Sequence, residues 1–121
     1  MTNDEIDRAI AEYFGADCMT GSRFATWPMQ AGEMLRKITV HVAQSDERDG
    51  RLFAQIPNFS TDLNAMHEAE KALTDEQHRL FRSYLGEVVG DVAYFCRKIV
   101  SSEAHQRAEA LVRTIGKWRD E

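Results

Sequence analysis

Apolar residues recur at helical spacing towards both ends of the chain and alternate in its middle. Ile6, Ile10 and Tyr13–Phe14 place one apolar face on a helix over residues 2–14. Thr2 or Asn3 can cap it, Asp4 and Glu5 sit at the positive end of its dipole, and Gly15 is a natural stop. Such a helix can pack on its own domain or on a second copy of it. Between Ala16 and Gly32 the period is lost, and Gly21, Pro28 and Gly32 punctuate the segment. The spacing predicts an irregular loop over 16–35, carrying Met19, Phe24, Trp27 and Met29. These side chains either form a binding loop or fold back as a satellite cluster over the core, and the second is favoured.

Ile38, Val40 and Val42 alternate with Thr39, His41 and Ala43, which predicts a half-buried strand. A turn over 45–50, a return strand over 51–56 and a stop at Pro57 complete a hairpin, since proline removes a ladder donor. Ser60 or Thr61 then caps a helix with Asp62 in its first turn. At about 100° per residue, Asn64, His67, Glu68 and Lys71 fall on one stripe. Ala65, Met66, Ala69, Ala72 and Leu73 fall opposite, with Leu63 at the margin. Thr74 and Gln77 fit a capping box that opens the next helix, with Leu80, Phe81, Tyr84, Leu85 and Val88 on one side. That helix is expected to reach about residue 89, followed by a short strand near 93–99. Val88, Val92, Phe95 and Ile99 continue a helical period, whereas Val92, Tyr94 and Cys96 alternate like a strand. Ser101 and Ser102 offer caps for a last helix whose buried stripe is Ala104, Ala108, Leu111 and Ile115, with Val112 beside it. Glu103–Arg107 and Glu109–Arg113 are i,i+4 pairs, and Gly116 suits the position after the last turn. Together these elements predict one α/β domain with helices on both faces of a small, mostly antiparallel sheet, its α/β core over 36–118.

Composition narrows the picture mostly by exclusion. A chain of 121 residues supports one core, and an apolar fraction of 43% with two prolines reads as globular. The acidic, amphipathic N-terminus lacks the pattern of a secretory signal, so a cytoplasmic location is expected. Cys18 and Cys96 form no CxxC pair and read as reduced thiols. Twenty acidic against fifteen basic residues give a net charge of −5, which disfavours sequence-independent binding of nucleic acid. It suits a soluble protein or one that docks on a basic partner.

Candidate chemistry is sparse. His41, His67, His78 and His105 fall on four different elements and in no metal-ligand spacing, so no metal or other cofactor is expected. There is no GxSxG and no phosphate-binding loop, and Ser60, Ser101 and Ser102 are explained as caps. Glu68 and Glu70 lie on different sides of their helix, and Cys96 sits among apolar residues as an inert thiol. No catalytic residue is assigned. The mixed stripe of Asn64, His67, Glu68 and Lys71 is either a solvated face or a recognition face. Arg107 and Trp118 join it if the helices are neighbours, since both types anchor interfaces.

Two stretches, IPNFSTDLNAMHEAEKAL at 56–73 and QRAEALVRTIGKW at 106–118, resemble the small phage and prophage proteins grouped as the phage ABA sandwich domain. The resemblance spans about 56–118 and excludes 86–100 and the first 55 residues. It implies a three-layer α/β/α fold and a phage or prophage origin, and no activity. The leading expectation is a non-catalytic accessory protein that binds a host protein, such as a host defence complex, in the manner of an anti-CRISPR inhibitor. The alternatives are an oligomer that sequesters a nucleotide-like ligand, and an enzyme with a dispersed site.

Overall fold

The computed structural model describes residues 1–38, 42–46, 51–89 and 104–118. The first helix, α1 (Asn3–Tyr13), begins as its sequence dictates. The Thr2 hydroxyl accepts the Glu5 amide at 3.2 Å, and the Glu5 carboxylate accepts the Thr2 amide at 3.0 Å, a reciprocal capping box. Ile6 and Ile10 are fully buried within the chain itself, which settles where this helix packs. Burying each such side chain stabilises the fold by about 2 kcal/mol.

The segment expected as an irregular loop over 16–35 is ordered into short elements. These are β1 (Asp17–Cys18), β2 (Phe24–Trp27), a 3-10 turn (Met29–Ala31) and α2 (Gly32–Lys37). Two further strands, β3 (Val42–Asp46) and β4 (Arg51–Gln55), pair antiparallel as the predicted hairpin requires, but β3 extends through Asp46 into the expected turn, with Asp46 paired to Arg51. Ile38 is not in a strand; it closes α2, donating its amide to the Met34 and Leu35 carbonyls. Thr39, Val40, His41 and residues 47–50 of the expected strand and turn lie outside the described residues. The sheet order is β1-β2-β4-β3 and every pair is antiparallel, with a register irregularity between Gln44 and Asp46.

Pairing of Ala25 with Ala54 and of Trp27 with Leu52 puts four buried residues on one face of the sheet. Ala11 of α1 and Leu35 of α2 pack against them. Trp27 is fully buried and its indole N–H donates to the Ala54 carbonyl at 3.3 Å, so it belongs to the core itself; Met19, Phe24 and Met29, expected to fold back with it, are exposed. Phe24 and Phe53 stack on the opposite face, with ring centroids 5.2 Å apart.

Behind α1 lie α3 (Leu63–Glu70), α4 (Asp75–Val89) and the last helix, α5 (Ala104–Thr114). Met66, Phe81, Leu85 and Leu111 meet Ile6 and Ile10 in the larger apolar cluster. Thus α1 contributes to both clusters, Ile6 and Ile10 to the larger one and Ala11 to the one over the sheet. The α/β class and the antiparallel sheet are as expected. α4 is described as far as Val89; its end, expected near that residue, and the strand expected near 93–99 lie outside the described residues. Gly116 has φ +76° after the last turn, as its position requires.

Candidate functional site

The site rests on α3, and its start decides which side chains face outward. Asp62, rather than Ser60 or Thr61, is the N-cap: its Oδ1 accepts the Asn64 amide at 3.0 Å and the Ala65 amide at 3.3 Å. The two earlier residues are engaged elsewhere. Ser60 donates its amide to Asp7 Oδ1, and Thr61 donates its amide to the Asn58 carbonyl. Ala65, Met66 and Ala69 are then buried, and Asn64, His67 and Lys71 exposed.

The six residues expected to form one recognition face are distributed among four environments. His67, Lys71 and Arg107 line a cleft of about 380 Å³, together with Glu70 and His78. Glu68 and Lys71 line a second depression of about 320 Å³ between α2 and α3, floored by Phe14, Met34 and Ala72. Asn64 instead ties α3 to the end of α2, its Nδ2 donating to the Lys37 carbonyl at 3.4 Å. Trp118 packs against the apolar core, with the Arg113 guanidinium 4.8 Å from its ring centroid, a cation–π contact. It lines neither depression.

The cleft is built across chain-distant helices. Arg107 of α5 donates from Nη1 to Glu70 Oε1 of α3 at 2.7 Å. The Arg107 and Glu70 side chains are only 10% and 14% exposed, so this is a largely desolvated pair. Burial raises the Glu70 carboxyl above the ordinary carboxylate range, although Arg107 and His67 pull it down. Its second oxygen, Oε2, is enclosed without a hydrogen-bond partner. Lys71, 66% exposed, donates to Glu68 Oε1 at 2.8 Å, and that bond holds the Glu68 carboxyl below its usual range.

Sequence reasoning missed Glu70 and His78. Glu70 stands three residues after His67 on the same helix, a spacing that could have joined it to the stripe. No local signal marks His78, which arrives through the packing of α4. Glu103, the expected partner of Arg107, lies outside the described residues, while Glu109 and Arg113 pair at 3.3 Å as their spacing predicts.

Among the described residues, no group of three or more His, Cys, Asp or Glu side chains is placed to hold a metal ion. Cys18 is half-buried, and burial pushes its thiol up, away from the reactive thiolate. No helix among the described residues is long and apolar enough to cross a membrane.

No protein-family model matches the chain, and neither the curated proteins nor the solved structures include a significant match to it.

Proposed function

We propose that the chain is a non-catalytic binding protein, and that the cleft between α3, α4 and α5 is its recognition site. One observation carries this reading: His67 from α3, Lys71 just beyond its last turn, His78 from α4 and Arg107 from α5 converge on a single cleft. The mixture supplies charge, donors and acceptors without a nucleophile placed beside a base. The resemblance of 56–73 and 106–118 to phage ABA sandwich proteins supports a phage or prophage accessory protein that acts on a host protein in the bacterial cytoplasm. Inhibition of a host defence complex, anti-CRISPR activity included, belongs to this proposal.

Capture from a bacterial host lysate tests it. The wild-type chain should retain a discrete partner, and His67→Ala with Lys71→Glu should release it while leaving the fold intact. A partner held equally by both chains would move the interface elsewhere, and no retained partner would count against a host-protein target. The second reading, sequestration of a nucleotide-like ligand by an oligomer, is favoured by the basic and imidazole groups of the same cleft.

A further inference from the structure

We propose that this cleft receives a tetrahedral oxyanion, in biological terms the phosphate of a small phosphate monoester. The inference rests on the reading of the cleft as a binding site and adds the chemistry of what enters it. Donor content is the first support. The wall of the cleft gathers His67, Lys71, His78 and Arg107 around Glu70. Arg107 is matched by Glu70 at 2.7 Å and Lys71 by Glu68 at 2.8 Å, so the two imidazoles and an exchangeable lysine are the donors the wall can offer a ligand.

Donor geometry selects among anions. A carboxylate is best held by the two-pronged guanidinium fork, and that of Arg107 is engaged with Glu70. The donors left to a ligand are point donors: the Lys71 ammonium and imidazole N–H groups from α3 and α4. Separate point donors suit an anion whose oxygens diverge tetrahedrally. Lys71 is available because its bond to Glu68 is made by a lysine that is 66% exposed, and exposed pairs exchange partners at little cost. The depression is shallow and open, which leaves room beside a bound phosphate for the body of an ester. Lys71 also walls the neighbouring depression over Phe14 and Met34, which offers an apolar surface beside the charged one.

The test is a titration of the whole chain, followed by the imidazole NMR signals of His67 and His78. Inorganic phosphate should shift both signals saturably at millimolar concentration, acetate should bind more weakly, and adenosine monophosphate should compete with phosphate. Lys71→Gln should weaken phosphate by about tenfold, the loss of one charge-assisted bond. The double substitution His67→Ala/His78→Ala, read by phosphorus NMR, should weaken it as well. Glu33→Gln, on the neighbouring depression, should leave it unchanged. Non-saturating shifts, equal binding of acetate, or undiminished binding by Lys71→Gln would each overturn the proposal. The readings fail separately: host-protein capture that survives without phosphate binding removes only the oxyanion site. Phosphate binding without any captured protein removes only the host-protein target.

Discussion

Asp7 accepts the backbone amide of Ser60 at 2.8 Å, joining α1 to the turn before α3 across 53 residues of chain. Its other carboxylate oxygen accepts from Arg23 Nη2 at 3.3 Å. The same guanidinium reaches the Ile56 carbonyl, Asn58 Oδ1 and Asp4 Oδ1, so one buried acid and one arginine fasten three segments together. Burial raises the Asp7 carboxyl above its ordinary range; the Ser60 amide and Arg23 offset part of that. This junction positions the start of α3, and with it the side chains of the cleft.

Replacement of Asp7 should therefore cost far more than a surface change. Asp7→Ala leaves the Ser60 amide buried without an acceptor and removes the most buried partner of Arg23, a loss of about 3 kcal/mol in urea unfolding. Asp7→Asn keeps an acceptor for Ser60 and should cost less. A loss below about 0.5 kcal/mol for the alanine variant would show that the junction is dispensable.

This junction also shows what the sequence could and could not reveal. Signals that act within one turn were legible: Thr2 as one of two candidate caps of α1, Thr74 with Gln77, and Gly116 beyond α5. The segment 16–35 was not, because β2 is four residues long and exists by pairing with β4. Likewise α2 has six residues and no side-chain cap. The cap of α3 was misplaced by up to two residues: Asp62, read as a first-turn residue, itself accepts the Asn64 and Ala65 amides, while the Ser60 amide is held by Asp7, remote in sequence. In the cleft, the periodic residues His67 and Lys71 were readable from α3 alone. Glu70 and Arg107 were read separately, and only packing shows them as a pair.

That pair gives a second prediction. Arg107→Ala leaves the Glu70 carboxylate largely buried without its arginine, and should destabilise the chain by about 3–5 kcal/mol. Removing both charges as Glu70→Leu/Arg107→Met should recover most of the loss, because two desolvated charges are replaced by apolar groups of similar size. Chemical denaturation of the three chains measures this, and a double variant as unstable as the single one would refute the account.

The raised Glu70 carboxyl predicts a direction for pH dependence. Between its ordinary value of 4.5 and its higher value in the fold, the native state binds more protons than the unfolded chain. Stability from this group is therefore greatest at low pH and falls as pH rises through that window. Asp4 has the opposite sign. Arg8, then Arg23, hold its carboxyl below 3.8, so its contribution is present above that value and is lost as pH falls. Relative to Glu70→Gln, the wild-type chain should lose stability as pH increases past 4.5. A difference that is flat, or that grows in favour of the wild type, would show that burial does not govern this carboxyl.

A final prediction concerns the helix that carries His78 into the cleft. Thr74 Oγ1 accepts the Gln77 amide at 3.2 Å, while Gln77 Oε1 accepts the Thr74 amide at 2.9 Å. Gln77 Nε2 then donates to the Tyr13 hydroxyl at 2.8 Å, tying the start of α4 to the end of α1. Thr74→Ala removes one half of the capping box and should cost about 1 kcal/mol. The effect should be local first, with faster hydrogen exchange at the Gln77 and His78 amides than in the middle of α4. Thr74→Ser retains the accepting hydroxyl and should restore the protection. If the alanine variant exchanges like the wild type there, the cap does not hold this turn, and His78 must be placed by the Gln77–Tyr13 bond and core packing instead.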